Sequence, residues 1–265
     1  MLIRVGFYQF NPLFGEKERN LEKVESALLE TDADLVVLPE LFQSGYQFVD
    51  REEVDAIAEE IPGGVTTELL KDVSRKKNMY IVGGLAERAG DDYFNSAVFV
   101  GPEGFIGHYR KTHLFYEEKL FFKSGDTGFR VWQTGIGKIG IMICFDWFFP
   151  EAMRTLAVMG AEVVAHPSNL VLPYCPRGMP TRCLENMVFG ITANRTGVER
   201  RKAEELRFIG SSQVVSPLGE VLLKAGGEEE VASVVEIDTE RARNKDLNHL
   251  NNIFQDRKPQ FYNLT

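Results

Sequence analysis

The chain has little of what marks a membrane, secreted or metal-binding protein. No apolar stretch among its 265 residues approaches the roughly 18–20 residues that a membrane span requires. Residues 1–7 lack the basic start and long apolar run of a secretory signal, so we expect a cytoplasmic protein. The three cysteines are an odd number at spacings that fit no zinc template, and a reducing compartment disfavours disulfides. We therefore expect neither a metal ion nor a disulfide framework.

Positive charge is also scarce. Lys and Arg number 30 against 39 Asp and Glu, which gives a net charge of −9. The basic runs at 75–77 and 199–202 are short, and we interpret both as solvated helix ends rather than a phosphate-binding face. The composition predicts no nucleic-acid partner and no membrane partner. Repeats and Pro- or Ser-rich linkers are absent as well, and we expect a single domain over residues 1–265.

Short apolar strands alternate with helical patterns along the chain. The predicted strands are 2–10, 34–39, 80–86, 94–100, 104–109, 129–133, 138–143, 162–165, 189–193, 211–215, 220–223 and 232–237. The predicted helices are 16–30, 66–77, 150–159 and 182–188. Almost wholly apolar strands need cover on both faces, while the hairpins exclude a purely parallel sheet. The pattern therefore predicts an α/β sandwich with mixed sheets.

Three charged or nucleophilic residues follow strands of this kind. Cys144 stands at a strand-to-helix turn, where side chains project from the carboxyl edge of a sheet, although free cysteines usually pack as small hydrophobes. Glu40 ends a buried strand, where desolvation would make its carboxylate a usable base near neutral pH. Lys111 ends a third strand, and a cation beside a thiol stabilises both a thiolate and a developing oxyanion. Each residue alone has an ordinary structural explanation.

Taken together, the segments LVVLPELF, GHYRKTHLF and IGIMICFDWFFPE resemble the nitrilase superfamily of carbon–nitrogen hydrolases, and within it the short archaeal aliphatic nitrilase type. The spacings of 71 residues from Glu40 to Lys111 and 33 from Lys111 to Cys144 are of the family type. The resemblance runs nearly end to end, through HPSNLVLP, RCLEN and FGITANRTG. It implies a four-layer α-β-β-α sandwich that dimerises through its helical layer, with the polar, aromatic tail 244–265 reaching across to the partner subunit.

The resemblance also implies a mechanism without a metal or other cofactor. Glu40 would take the proton of Cys144, whose thiolate attacks the carbon of a small nitrile or amide. Lys111 and the backbone N–H of Phe145 would stabilise the tetrahedral intermediate. Ammonia leaves, and water activated by Glu40 then hydrolyses the thioester. Glu118, which resembles the second glutamate of the family, would orient substrate or water.

Other chemistry is compatible with the same residues. A Cys–His pair is the competing arrangement, with His113 and His166 as candidates because both flank predicted strand ends. The other cysteines, Cys175 in a predicted loop and Cys183 in a predicted helix, are expected to be bystanders, although Cys175 could line the mouth of the pocket. A catalytically silent binding protein on this fold would lack one of the three strand-end residues, and none is missing. An acyltransferase usually carries extra segments, which are absent here.

The substrate is less well defined by the sequence. Loops after the strands should form the pocket, with Tyr46, Phe115, Trp147 and Asn169 as candidate substrate-binding residues. Family members that cleave carbamoyl amino acids commonly carry Arg where this chain has Trp147 and Phe148, so we expect a small uncharged or apolar acyl group. An N-carbamoyl amine or amide remains the alternative substrate. Many nitrilases have Trp after the cysteine, but the archaeal type shares Phe145, which leaves nitrile and amide both open.

Overall fold

Two six-stranded sheets form the centre of the computed structural model, which describes residues 1–262. In chain order the strands are β1 (Leu2–Gln9), β2 (Leu35–Val37), β3 (Tyr80–Ala89), β4 (Asp92–Gly101), β5 (Gly104–Arg110), β6 (Val131–Thr134), β7 (Gly137–Ile141), β8 (Val163–Pro167), β9 (Phe189–Ala193), β10 (Val198–Glu199), β11 (Leu206–Arg207), β12 (Gln213–Val215), β13 (Val221–Lys224), β14 (Val231–Asp238), β15 (Asp246–Asn248) and β16 (Asn251–Asn252). The helices are α1 (Lys17–Glu30), α2 (Arg51–Ile57), α3 (Val65–Lys77), α4 (Glu118–Phe121), α5 (Pro150–Val158), α6 (Tyr174–Asn186) and α7 (Glu240–Arg243).

The two large sheets repeat one plan. The first has the order β14-β1-β2-β3-β4-β5, and the second has the order β13-β12-β9-β8-β7-β6. The central strands of each sheet are parallel, β1 to β3 in the first and β7 to β9 in the second, while the outer pairs are antiparallel. Parallel strands direct their carboxyl ends to one edge, and both sheets therefore bring several strand ends together.

Helices cover the outer face of each sheet, and the inner faces pack on each other. In β2, Leu35 and Val37 join the core between the sheets with Ile141, while Val36 faces the opposite way, into a core with Leu28 of α1 and others from α3. Alternate residues of a strand point to opposite faces, so this strand needs apolar residues at every position. Helices α5 and α6 pack on the second sheet. The predicted α/β sandwich with mixed sheets is confirmed.

Several local predictions were wrong. Helix α2 was not predicted; it begins after Asp50, whose side chain accepts a hydrogen bond from the Glu53 backbone N–H as an N-cap. Helix α6 begins at Tyr174 rather than at 182, so Cys175 lies in a helix and not in a loop. The run 199–202 is no solvated helix end, since Glu199 belongs to β10 and is buried. Tertiary packing overrides local propensity at α6 and at 199–202, whereas the N-cap of α2 is a local signal that the prediction missed.

The C-terminal segment lies along the second sheet's helical side. The Lys245 ammonium donates to the backbone carbonyls of Met187 at 2.7 Å and Asn186 at 3.2 Å, at the end of α6. Strands β15 and β16 then form a small hairpin. Residues 263–265 of the predicted tail lie outside the described residues, and its packing on a partner subunit remains a prediction. Within residues 1–262, no helix is both long and apolar enough to span a membrane.

The turn that carries Glu40 packs directly on β3. The Gly84 N–H donates to the Pro39 carbonyl at 3.1 Å, and the Gly84 carbonyl accepts from the Phe42 N–H at 3.0 Å. A Cβ at Gly84 would lie 2.5 Å from Glu40 Cα and 2.9 Å from the Leu41 nitrogen. Both atoms belong to backbone, which cannot rotate away. Glycine at position 84 is therefore required for the turn to approach the strand.

We expect Gly84→Ala to lower the free energy of unfolding by roughly 1–3 kcal/mol, because the added methyl group overpacks a backbone contact. Urea denaturation followed by circular dichroism measures the change. Gly63→Ala is the matched control: a Cβ at Gly63 meets open space, so its effect should stay within about 0.5 kcal/mol. Equal effects of the two substitutions would contradict the close approach at Gly84.

Candidate active site

Cys144 occupies a tight turn between β7 and α5. It is the first residue of a 3₁₀ turn, Cys144–Phe148, and its φ of +40° lies in the left-handed region that side chains other than glycine rarely adopt. Asp146 closes this turn, because its Oδ2 accepts from the Ile143 N–H at 2.8 Å and from the Tyr109 hydroxyl at 2.9 Å. The turn holds the Cys144 side chain in a fixed, nearly buried position, with 6% of the residue exposed.

A buried ammonium contacts two buried carboxylates that come from different parts of the chain. Lys111, directly after β5, donates from Nζ to Glu40 Oε1 at 2.6 Å and to both carboxylate oxygens of Glu118 at 2.8 Å. Glu40 follows β2, and Glu118 begins α4. Lys111 and Glu40 are fully buried, and Glu118 is 4% exposed. The structure thus brings three of the sequence-predicted site residues into direct contact.

Glu40 keeps one carboxylate oxygen free of hydrogen bonds within the described residues. Its Oε1 accepts from Lys111 and, at 2.7 Å, from the Asn95 side-chain amide, while the buried Oε2 has no partner. A carboxylate held at one oxygen and free at the other can accept a proton without losing its position. Sequence analysis missed Asn95, because an asparagine within β4 carries no signal of a partner 55 residues away.

Electrostatics couple this cluster to the Cys144 thiol. Burial raises the pKa of Cys144 well above its usual value; Glu40 raises this pKa further, and Lys111 lowers it. Burial would lower the Lys111 pKa, but the Glu118 and Glu40 carboxylates outweigh it and raise the pKa above its ordinary value. Burial raises the pKa of Glu118 to about 7, against the effect of Lys111. The thiol is therefore protonated at rest, and its ionisation requires a base close by.

The two histidines of the alternative Cys–His pair are engaged elsewhere. His166 is buried, with its Nε2 2.9 Å from the backbone carbonyl of Cys144 and its Nδ1 3.0 Å from Thr192 Oγ1. Burial lowers the pKa of His166 to about 4. His113 has its Nδ1 2.7 Å from Asp146 Oδ1 and stacks on Phe149. Both rings therefore brace the turn around Cys144 through atoms other than its sulfur.

A cavity of about 140 Å³ opens at Cys144. Its lining is largely aromatic and aliphatic, formed by Phe115, Cys144, Phe145, Trp147, Phe148, Asn169, Leu170, Val171, Leu172, Tyr174 and Cys175. Three of the four predicted pocket residues belong to this lining, and Cys175 does as well. The fourth, Tyr46, instead lines a neighbouring cleft, and its hydroxyl donates to Glu118 Oε1 at 2.7 Å. Tyr46 therefore contacts the charged cluster rather than the cavity.

Asn169 is the polar exception in the wall of the cavity. It is 3% exposed, and neither its side-chain oxygen nor its nitrogen has a hydrogen-bond partner within the described residues. Buried amides are normally hydrogen-bonded, so an unpaired one beside a cavity is available to a polar group that enters it. The cavity thus combines a buried thiol, a free carboxylate oxygen in the adjoining cluster, an apolar wall and one unpaired amide.

Comparison with known proteins agrees with this geometry. Residues 4–245 match the Carbon-nitrogen hydrolase family. The chain is 54% identical over 264 residues to a nitrilase from Pyrococcus abyssi (strain GE5 / Orsay), covering 98% of this chain and 99% of that protein. The chain therefore belongs to the carbon–nitrogen hydrolase family, the nitrilase superfamily, and is an enzyme that hydrolyses carbon–nitrogen bonds.

Solved structures of the family share the fold. The carbon–nitrogen hydrolase from Helicobacter pylori G27 superposes with a TM-score of 0.86 at 28% identity, covering 99% of this chain and 98% of that one. An amidase from Nesterenkonia sp. AN1 superposes with a TM-score of 0.80 at 26% identity, covering 97% and 94%. In that amidase, a Glu-to-Gln variant carries the acetamide moiety of fluoroacetamide bound covalently to the active-site cysteine. The active-site cysteine of that amidase thus forms a covalent bond with a small amide-derived group.

Proposed function

We propose that the chain converts small aliphatic nitriles or amides to the carboxylic acid and ammonia through a thioester on Cys144. The observation that carries the proposal is the buried cluster of Lys111 with Glu40 and Glu118, electrostatically coupled to a thiol that lines a cavity. The cluster supplies a base, an electropositive group and a nucleophile in one place, as acyl transfer requires.

In the first step, Glu40 accepts the Cys144 proton on its free oxygen, and the sulfur attacks the substrate carbon. For an amide, this forms a C–S bond and leaves a negative oxygen. The Lys111 ammonium and the Phe145 backbone N–H stabilise that charge. The C–N bond then breaks, Glu40 returns its proton to the departing nitrogen, and ammonia and a thioester result.

In the second step, water attacks the thioester carbonyl as Glu40 removes a proton from it. The C–S bond breaks, the proton passes to the sulfur, and the acid leaves. A nitrile reaches the same thioester through a thioimidate, to which one water molecule adds before ammonia departs. Glu118 has a positioning role in both routes, because both of its carboxylate oxygens accept hydrogen bonds from the Lys111 ammonium.

The cavity wall argues for a small, uncharged acyl group. Trp147 and Phe148 line the cavity, and its lining within the described residues includes no arginine that could hold a carboxylate in two hydrogen bonds. The unpaired Asn169 amide offers a hydrogen bond to a neutral carbonyl or amide group of the substrate. A carboxylate entering this cavity would lose its hydration without a cationic partner, which is strongly unfavourable. Carbamoyl amino acids are therefore the less favoured substrates.

Ammonia release from a matched aliphatic nitrile and amide tests the function. We expect the wild-type chain to release ammonia from at least one of them, and faster than from a carbamoyl amino acid. Cys144→Ala should abolish release, and Lys111→Ala or Glu40→Gln should slow it by at least roughly 10²–10³-fold. Cys183→Ala is the control, since Cys183 lies in α6 beside Gly190.

Two results would contradict the proposal. A wild-type chain that prefers the carbamoyl amino acid would overturn the substrate class. A chain that keeps its activity without Glu40 would require a different base, and one that keeps it without Lys111 would require a different group to stabilise the oxyanion; in either case the Cys–His arrangement would return.

Trp147, which lines the cavity, packs closely against Gly178 of α6. A Cβ at Gly178 would lie 2.5 Å from Trp147 Cζ3, so Gly178→Ala forces the indole to move. We expect the smaller cavity to lower kcat/KM for a longer acyl chain about 10-fold or more relative to a shorter one. Adding Trp147→Phe to the Gly178→Ala variant should restore kcat/KM for the longer substrate. A uniform change across chain lengths would contradict this role of Gly178.

We further propose a homodimer formed through the helical layer on the second sheet. Exposed apolar side chains on or next to α5 and α6 support it: Val158, Met159 and Leu184 are each about half exposed. Light scattering at micromolar concentration should report twice the chain mass of 29.9 kDa. A mass of one chain would contradict the proposal.

A further inference from the structure

A buried ion pair, Arg195 with Glu199, is linked to the charged cluster through Tyr46 and does not line the cavity. We propose that Arg195 and Glu199 are positioning residues, which hold Tyr46 so that its hydroxyl fixes the Glu118 carboxylate against Lys111. The inference rests on the proposed function, because it concerns the same charged cluster. It assigns a role to two residues that are separated from Cys144 by several contacts.

Arg195 is an unusual residue to bury. It is fully inaccessible, and it is among the largest side chains buried to that degree. Its guanidinium pairs with Glu199 and donates to Asn11 Oδ1 at 2.8 Å, to the Pro12 carbonyl at 3.0 Å and to the Thr196 carbonyl at 3.2 Å. Desolvation of such a pair offsets most of its attraction, so an apolar pair of similar size would serve stability as well. The directional hydrogen bonds are what an apolar pair cannot replace.

The Glu199 carboxylate also accepts hydrogen bonds from the backbone of the turn that carries Tyr46. It accepts from the Tyr46 N–H at 3.1 and 3.2 Å and from the Gln47 N–H at 2.6 Å. Gly45 has a φ of +81°, and a Cβ there would lie 2.9 Å from Glu199 Oε1. The turn and the carboxylate therefore fit each other closely, and Glu199 sets the backbone position of Tyr46.

The same pair also supports the Tyr46 ring. The Arg195 guanidinium lies 4.0 Å above the Phe208 ring, and the Phe208 ring packs edge-on against Tyr46 with centroids 5.9 Å apart. Tyr46 is thus held at its backbone by Glu199 and at its ring by Phe208. Both contacts lead back to Arg195.

The hydroxyl end of Tyr46 meets the charged cluster. It donates to Glu118 Oε1 at 2.7 Å, the same oxygen that accepts from Lys111 at 2.8 Å. A second donor on this oxygen restricts rotation of the carboxylate, so that both oxygens stay on Lys111. If Tyr46 shifts, Glu118 loses this restraint, and Lys111 is held less firmly beside Cys144. The expected effect falls on kcat rather than on KM, because none of these residues lines the cavity.

The test combines Glu199→Gln, which removes the charge and keeps the shape, with Tyr46→Phe, which removes the hydroxyl. We expect each single variant to lower kcat for the amide or nitrile about 10-fold, corresponding to the loss of one transition-state interaction. The double variant should be no slower than Tyr46→Phe alone, since both changes act through one hydroxyl. Glu162→Gln is the matched control: Glu162 is also a buried glutamate paired with an arginine, Arg243, and within the described residues neither makes a hydrogen bond to the Tyr46 turn or to the charged cluster.

A second measurement does not depend on turnover. Cys144 is alkylated with iodoacetamide across a pH series, and peptide mass mapping gives the pH midpoint of the reaction. Glu199→Gln and Tyr46→Phe should move the pH midpoint of alkylation in the same direction, whereas Glu162→Gln should leave it unchanged. If Glu199→Gln does not fold, Arg195→Lys carries the same test, because it keeps the charge and loses the forked contacts.

The inference is overturned if the effects of Glu199→Gln and Tyr46→Phe on kcat multiply, or if neither variant moves the alkylation midpoint. A wild-type chain that hydrolyses neither substrate would instead count against the proposed function. In that case, the alkylation profile still decides whether the ion pair acts on the cluster around Cys144.

Discussion

The structure around the site depends on one interaction, the burial of the Lys111 ammonium between two carboxylates. An isolated charge in such a position would be neutralised or expelled, because its loss of hydration costs several kcal/mol. Here Glu40 and Glu118 both contact Nζ at 2.6–2.8 Å, and the Lys111 pKa is raised despite burial. The cation is thereby kept charged near a protonated thiol, and the adjoining Glu40 carboxylate supplies the base that thiol needs to act as a nucleophile.

The fold explains how residues so far apart in the chain meet. Each of Glu40, Lys111 and Cys144 follows a strand of one of the two packed sheets, and the sheets face each other across a common core. Close backbone contacts then set the details: Gly84 lets the Glu40 turn approach β3, and Asp146 closes the turn that strains Cys144. The strained turn and the buried charges are the features that stability alone would not favour, and they coincide with the site.

Much of the fold and part of the site could be predicted from the sequence. Strands buried on both faces are apolar throughout, so a charged or nucleophilic residue at the end of such a strand indicates a functional position. Glu40 and Cys144 carry that signal, whereas Lys111 follows the polar end of a partly exposed strand and was identified by the resemblance of GHYRKTHLF to the family. Asn95, Arg195 and Glu199 carry no such signal, since each owes its role to a partner that only tertiary folding brings near; the Glu199 carboxylate and the Tyr46 N–H it binds are 153 residues apart. Helix α6 was placed too late because Pro176, Gly178 and Pro180 disfavour a helix locally, while packing on the second sheet favours it.

The most direct measurement of the central interaction is a double-mutant cycle on the free energy of unfolding, with Lys111→Met, Glu118→Gln and both together. The Arg4–Asp32 pair, whose side chains are 45% and 78% exposed, provides the reference cycle, with a coupling expected below about 1 kcal/mol. For Lys111 and Glu118, the double variant should lose less free energy of unfolding than the two single variants lose in sum, by roughly 0.5–3 kcal/mol. The reason is that the second change removes a carboxylate that the first change has already left without its cation. Additive losses of unfolding free energy would mean that the ammonium and the carboxylate do not act as one unit, which would contradict the central role of this buried interaction.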